Sequence, residues 1–379
     1  MKITHIGPDS IFLQFISGVF ESEAPGANEY IVLTNSADGS LRFPIRKGRV
    51  RTVPSVKRGI ASLVFGVRDS DMIVAHMMTQ HAAISFLTAP RGTIKVWSGW
   101  GADYYGSDES PDSGLLGAST LALSKSLNTE SDAPTRLLAV KDRIKDGTIR
   151  RLIHGAAGKA DYFSAPLPDD FSVFKQRFPE FHGRYGQIYY ANVRDSFARG
   201  GEGDIGPNIL VGNSATLTNN HLEVFDQLAG LDISGRRIIV PLSYGNPDYR
   251  DAIVSKGSEL FGSAFMPLVD YMQLEEYLSL VASCNVVIMN HKRQQALSNI
   301  GAALYRGANV FLNEASPVVN FFRSRGAIIY TTRELRSTGL PNAPLPLEAV
   351  ATNRRVLEEW RGSERVVEKV RALVSYLNS

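Results

Sequence analysis

Apolar residues in this chain fall into short runs, and the stretches between the runs carry helical spacing. In the first half the runs are Ile3–Ile6, Tyr30–Leu33, Asp71–His76, Lys95–Trp97, Ala160–Phe163 and Gln187–Tyr190, and each predicts a strand. Ile11, Phe12, Phe15, Ile16 and Phe20 recur at helical spacing between the first two, and Ala82–Leu87 predicts a further helix. After Pro207 the alternation repeats. Strands are predicted at Ile209–Val211, Arg237–Val240, Ala264–Met266, Val286–Met289, Val310–Leu312 and Ile328–Tyr330, with helices that include Leu222–Ala229 and Leu274–Ala282. Pro317 holds the first-turn position ahead of Val318–Arg325. Strands alternating with helices give parallel sheets with crossover helices.

The chain is therefore expected to be α/β, with two Rossmann-type doubly wound domains at 1–197 and 208–340. The glycine-rich, aperiodic stretch 198–207 reads as the linker between them. Pro341–Pro346 leads into a last helical segment, 341–379. There Val366, Val370, Leu373 and Leu377 form one stripe, so this helix is expected to pack back on the body. Two such domains are expected to face a cleft, with ligands held outside the carboxyl ends of the strands.

Composition narrows the class. The 379 residues are 44% hydrophobic and 21% charged, which excludes wholesale disorder. A net charge of +3 is too small to argue for nucleic acid and is compatible with an anionic substrate or membrane surface. The cations are unevenly placed. Arg42, Arg46, Lys47, Arg49, Arg51, Lys57 and Arg58 fall within Leu41–Arg58, which contains no acid. That stretch reads as a solvated hairpin or loop, or as a patch for an anionic membrane or a pyrophosphate-linked lipid. Cys284 is the one cysteine, so no intramolecular disulfide forms, and its apolar setting predicts a buried thiol in a reducing compartment. Met1–Asp9 is no signal peptide, and no apolar run approaches the ~20 residues of a spanning helix. The expectation is a cytoplasmic protein whose membrane contact, if any, is peripheral.

The loops that follow strands carry the candidate chemistry. Ile209–Val211 empties through the small-residue loop Gly212–Thr218 toward a helix. Thr218 or Asn220 would cap that helix, with Glu223 completing a capping box on Asn220. Such a helix start suits a phosphate, although an ordinary capped turn has the same sequence. With one glycine and no Gly-Lys-Ser/Thr, it is neither a dinucleotide fingerprint nor a Walker A loop. After Val286–Met289 comes the polar run Asn290–Asn299, in which Lys292 and Arg293 stand where a helix start normally prefers acids. A bound anion would explain them, and a solvated first turn is the alternative. In Pro241–Asn246, Tyr244 could stack on a base and Ser243 bond a phosphate, or the segment is a plain turn. In Trp97–Gly106, Asp103 would face the cleft as a general base, or cap the next helix. His76, at the end of its strand, is the second base candidate, or a satisfied core histidine. Asp69-Ser-Asp71 has metal-binding spacing but precedes a strand, and no zinc spacing or serine-hydrolase elbow occurs. No metal or cofactor is expected.

Several of these segments together carry a resemblance. They are Ile209–Thr216 with Asn219–Leu222, Val240–Gly245, Phe261-Gly262 with Tyr277, and Asn290–Ile300. They resemble the 4-acetamido-4,6-dideoxygalactose transferase family of enterobacterial common antigen synthesis, also described as 4-alpha-L-fucosyltransferase. Trp100–Tyr104 is similar to that family's Trp-Gly-Gly-Asp pattern, with Ala102 replacing a glycine, and His76 to a histidine ending an early strand. The resemblance implies the two-Rossmann-domain glycosyltransferase architecture called GT-B, a dTDP-sugar donor and a lipid-pyrophosphate acceptor. It implies that Asn213, Ser214 and Thr216 face the diphosphate or sugar, and that Tyr244 and Gly245 line the nucleotide. Asn290, His291, Arg293, Gln294 and Asn299 would then stabilise the departing diphosphate. The first domain would hold the acceptor, with Asp103 or His76 as base if the transfer inverts. A nucleotide-sugar epimerase or hydrolase, and a non-catalytic sugar-nucleotide-binding protein, are the rival readings of the same architecture.

Overall fold

A computed structural model describes residues 1–54, 67–105, 114–129, 147–198 and 205–376. The chain forms two compact units, one of Met1–Tyr105, Asp132–Ala191 and Ser363–Ser379, the other of Gly106–Ser131 and Asn192–Gly362.

The first unit is built on a parallel sheet of β1 (Ile3–Pro8), β2 (Asn28–Thr34), β3 (Arg49–Pro54), β4 (Met72–His76), β5 (Ile94–Ser98), β6 (Tyr162–Ser164) and β7 (Arg184–Gly186). Its order is β3-β2-β1-β4-β5-β6-β7, so the crossovers reverse direction between β1 and β4. Successive residues of the inner strands enter opposite cores. Ile31, Ile73 and Ala75 pack with Trp97 and Phe174 on one face, while Tyr30, Met72 and Val74 pack with Leu13, Ile16 and Phe20 on the other. The second unit repeats the plan with β8 (Asn208–Val211), β9 (Ile238–Pro241), β10 (Phe265–Leu268), β11 (Cys284–Met289), β12 (Asn309–Leu312) and β13 (Tyr330–Thr331). All are parallel, in the order β10-β9-β8-β11-β12-β13, and the reversal falls between β8 and β11. Every residue of β11 is buried, as a central strand covered on both faces requires.

Three elements differ from expectation. The basic stretch holds a strand, β3, at the sheet edge, where Val53 is buried and Val50 is 40% exposed. Cations on an edge strand discourage pairing with a second chain, so the charge and the strand are compatible. Lys57 and Arg58 lie outside the described residues. β7 forms at Arg184–Gly186, just ahead of the predicted Gln187–Tyr190, because Ser164 Oγ takes the Ile188 N–H at 2.7 Å in place of a ladder carbonyl. The final segment divides. Leu347–Arg361 belongs to the second unit, where Trp360 lies 5.0 Å from Phe321 between ring centroids. Ser363–Ser375 joins the first, where Val370 and Leu373 enter the Leu13–Phe20 core and Arg371 bonds Glu23 at 2.7 Å. Leu377 and residues 199–204 of the glycine-rich stretch lie outside the described residues. Among the described residues no helix is long and apolar enough to cross a membrane.

Candidate functional site

In the second unit the loops after β8, β9 and β11 meet around one side chain, Asn213. The chain leaves β8 at Gly212 with φ +68°, and a Cβ there would lie 2.5 Å from His221 Nε2 and 2.7 Å from Asn219 Oδ1, so the turn needs glycine. Asn213 N then donates to Asn219 Oδ1 at 2.8 Å. The Asn213 amide donates to Tyr244 Oη at 2.9 Å, and its Oδ1 lies 3.1 Å from both His291 Nε2 and Gln295 Nε2. Ala215 N donates to Tyr244 O at 2.7 Å and Asn246 N to Ala215 O at 2.9 Å, which stitches the β8 and β9 loops together. Gly245, at φ +123°, permits that approach, since a Cβ would collide with the Ala215 backbone. Thr218 Oγ1 donates to Gln295 Oε1 at 2.9 Å. Asn219 adds bonds to Ser214 Oγ and Thr216 Oγ1.

The two histidines of this network are neutral. His291 Nε2 faces two acceptors, Asn213 Oδ1 and Asn219 Oδ1, so it carries the proton. Burial, then Arg293 and His221, hold its pKa well below the usual value, which leaves Nδ1 as a buried acceptor without a protein partner. His221 is lowered to about 3 by burial, with Nδ1 3.0 Å from Tyr249 Oη. The site therefore presents amides and hydroxyls rather than charge.

The sequence-predicted residues separate by depth. Asn213, Thr216 and Asn299 are half-buried and Tyr244 is 60% exposed, whereas Ser214, Asn290, His291, Arg293 and Gln294 are buried. Asn290 Oδ1 accepts from Asn313 Nδ2 at 2.7 Å, and Asn299 donates to Tyr277 Oη at 3.2 Å. Two expectations are corrected. The helix after β11 starts only at Leu297, behind Ala296 in the left-handed region, so Lys292 and Arg293 are not at its first turn. Lys292 Nζ turns to Leu116 O at 2.8 Å, and Arg293 Nη1 donates to Gln294 O at 3.0 Å. The capping box on Asn220 does not form either. Asn220 has φ +51° and makes no cap bond; its amide reaches Leu115 O and Asn290 O, and it accepts from Gly117 N. Glu223 instead accepts from Thr120 N at 2.9 Å and Thr120 Oγ1 at 2.7 Å.

In the first unit both base candidates are enclosed. Asp103 accepts four hydrogen bonds, from Trp100 N and Gly101 N at Oδ1, and from Met78 N (2.9 Å) and Trp97 Nε1 (2.7 Å) at Oδ2. Burial raises its pKa against the pull of these donors. His76 is fully buried between His5 and Tyr190. At the reversal between β1 and β4 lies a cavity of about 690 Å³, lined by Asp9, Thr34, Ser36, Arg42, Phe43 and Gln80 among others. Among the described residues no group of three or more His, Cys, Asp or Glu is placed to hold a metal.

Residues 171–354 match the family model described as 4-alpha-L-fucosyltransferase glycosyl transferase group 56. The chain is a glycosyltransferase, and over this segment it matches group 56. Solved structures agree in fold. Sucrose-phosphate synthase from Thermosynechococcus elongatus matches at TM-score 0.62 and 10% identity, covering 100% of this chain and 99% of that one. Anabaena HepE in complex with UDP-glucose matches at TM-score 0.57 and 13% identity, covering 99% and 95%. A Thermobaculum terrenum O-GlcNAc transferase mutant matches at 0.58 and 14%, covering 100% and 67%. At such identities the likeness establishes the fold, GT-B. The family match contains the whole Asn213 network. Two of this glycosyltransferase's bridging residues, Gln295 and Asn219, lay in the motifs without being singled out as site residues; the one signal was Gln295 standing four residues after His291 and four before Asn299. His5 and Tyr190 carried no local signal at all.

Proposed function

We propose that this glycosyltransferase moves a deoxy- or acetamido-deoxy-hexose from a nucleotide diphosphate donor, dTDP-linked, to a lipid-linked or polysaccharide acceptor at the inner face of the cytoplasmic membrane. The observation that carries the donor half is the Asn213 network at the strand reversal of the second sheet, where open α/β sheets bind their ligands. Three loops are cross-linked before any ligand arrives, so little ordering cost falls on binding. Thr216, Tyr244, Gln295 and Asn299 line its accessible side, and hydroxyls and amides are the groups that recognise sugar hydroxyls and phosphate oxygens. HepE, of the same fold, is described with UDP-glucose bound. The acceptor half belongs to the first unit's cavity, whose hydroxyl and amide walls beside Leu33, Leu41 and Phe43 suit a pyranose. Asp103 and His76, the base candidates of that unit, do not line this cavity: His76 is fully buried and both Asp103 oxygens are taken by hydrogen bonds from its own loops.

Titration calorimetry with dTDP, UDP and GDP, followed by incubation of the corresponding sugar nucleotides with and without lipid extract, tests this reading. Tight dTDP binding and lipid-dependent transfer are expected. Donor consumption without lipid would make the protein an epimerase or hydrolase, and binding without turnover a binding module. Arg293→Ala is expected to weaken nucleoside diphosphate binding about tenfold, since it loosens the buried underside of the β11 loop. Unchanged affinity in a folded variant would remove that loop from the donor site.

Membrane association is the second expectation. Arg42, Arg46, Lys47, Arg49 and Arg51 are gathered on and ahead of the edge strand β3. Binding to anionic liposomes should fall as salt rises, because exposed charges are screened beyond ~8–10 Å at physiological ionic strength. Equal binding to neutral liposomes would contradict it.

A further inference from the structure

Asp9 stands between β1 and the helix Ile11–Glu23, at the carboxyl edge of the first sheet, and lines the cavity of about 690 Å³ at the reversal between β1 and β4. Its backbone is pinned to β2, since Asp9 N donates to Leu33 O at 3.0 Å. Its carboxylate takes two neighbouring backbone donors, Arg42 N at 2.6 Å on Oδ2 and Phe43 N at 3.0 Å on Oδ1. Two more side chains hold the same stretch. Thr34 Oγ1, at the end of β2, donates to Ser40 O at 3.0 Å, and Gln14 Nε2, on the helix, donates to Pro44 O at 2.8 Å. Residues 40–44 belong to no helix or strand, so these backbone groups have no regular ladder to join. Side chains from three different places at this edge of the sheet supply the partners instead.

The stretch is thereby fixed as a strap with two sides. Leu41, Phe43 and Ile45 are half-buried, and Arg42, Pro44 and Arg46, which alternate with them, are exposed. Leu41 and Ile45 pack against the core of Leu13, Ile16 and Phe20. Leu41, Arg42 and Phe43 form part of the cavity wall. By holding the Arg42 and Phe43 backbone, Asp9 also sets where their side chains stand on that wall, the Arg42 guanidinium 5.5 Å from the centroid of the Phe43 ring.

We propose that Asp9 is a positioning residue that clamps residues 40–44 as a wall of the acceptor cavity, and that Phe43 and Arg42 on this wall determine which acceptor it takes. The Phe43 ring gives a pyranose an apolar surface to lie against, and Arg42 gives an anionic group attached to that sugar a cation on the exposed side of the strap. This role rests on the reading that the first unit's cavity carries the acceptor; the clamp does not.

Amide hydrogen exchange, followed on peptides that span residues 40–45, tests the clamp without any assay of transfer. In Asp9→Asn the side chain offers one oxygen and one NH2 group, so one of the two N–H donors loses its acceptor, and exchange there should quicken about tenfold or more. Unchanged exchange in a folded variant overturns the clamp. The positioning role is read from the acceptor KM, with lipid extract as the titrated acceptor, against the donor KM. Asp9→Asn should raise the acceptor KM about three- to tenfold and leave the donor KM within about twofold. Gln14→Ala, which removes an exposed bond to Pro44 O, should move exchange and acceptor KM in the same direction by a smaller factor, and it decides the matter if Asp9→Asn does not fold. Phe43→Ala and Arg42→Gln keep the backbone N–H groups, so each should raise the acceptor KM without quickening exchange. A wild-type acceptor KM in the loosened variants, or a donor KM that rises equally, overturns the positioning role, and a wild-type acceptor KM in both wall variants overturns their part in choosing the acceptor. If wild type transfers no sugar to lipid extract from any nucleotide, the functional reading and these roles fall together, while exchange still decides the clamp.

Discussion

Replacing Asp103 by asparagine is expected to cost about 3 kcal/mol of folding stability. The wild-type carboxylate accepts four hydrogen bonds, two at each oxygen. Asparagine offers one oxygen and one NH2 group, so whichever way the amide turns, its NH2 meets two N–H donors. Either Trp97 Nε1 and Met78 N or Trp100 N and Gly101 N lose their acceptor, and each buried donor left unsatisfied costs roughly 1–3 kcal/mol. These donors come from β5 itself and from the loops after β4 and β5, so the damage falls on the edge of the sheet where ligands bind. A residue serving only as general base would behave differently, with turnover falling ~10²–10⁴-fold and the melting curve unchanged. Denaturant midpoints at constant m-value, with turnover measured well below the midpoint, separate the two. Wild-type stability with lost turnover restores Asp103 as a base. Lost stability with near-normal turnover per folded molecule makes it a staple between loops.

Acidification from pH 7 to pH 5 is expected to remove about 3 kcal/mol or more of stability, before most carboxylates titrate. Four histidines, His5, His76, His221 and His291, are buried and neutral, all with pKa values lowered chiefly by burial, to about 4 for His5 and about 3 for His221. A lowered pKa means that the unfolded chain binds the proton first. The contribution of each is therefore complete above about pH 6.5 and is lost as pH falls toward the folded value. At pH 5, His5 and His221 together would forfeit up to about 4 kcal/mol, at roughly 1.4 kcal/mol per pH unit each, and His76 and His291 add to this. Asp170 works in the opposite direction. Burial raises it to about 6, so its contribution is present at low pH and lost as pH rises, and it returns about 1.4 kcal/mol between pH 6 and pH 5. Asp103, also raised, has the same sign. The loss should set in as pH falls through about 6.5 and be steeper near pH 5.5, where the unfolded histidines are almost fully protonated and the folded ones are not. A flat urea midpoint between pH 7.5 and pH 5 would show that the imidazoles are not held neutral.

The two sheets were legible in the sequence because their inner strands are buried on both faces and read as continuous apolar runs. β3 was not, because an edge strand carries cations and shows one buried position, Val53, where the inner strands show several. The loops after β8 and β11 stood out by composition. Their geometry did not, because it turns on left-handed residues at Asn220 and Ala296, which sequence periodicity does not reveal. Those two residues redirect the Asn220 amide and delay the helix start, which undid the capping box and the cationic first turn. In the first unit His76 was visible as a strand end, but its partners His5 and Tyr190 are brought to it by the sheet and the return of the chain after β7, and no local motif records that.

The helix Ser363–Ser375 has a consequence for synthesis. It supplies Val370 and Leu373 to the core that Leu13, Ile16 and Phe20 begin. The first unit is thus the first to emerge from the ribosome and the last to be completed. At about 5–20 residues per second, the apolar side of the helix Ile11–Glu23 waits tens of seconds for its cover, while the second unit is made. During that interval the nascent chain offers a hydrophobic face to chaperones, and a polypeptide that stops after Gly362 would keep that face permanently.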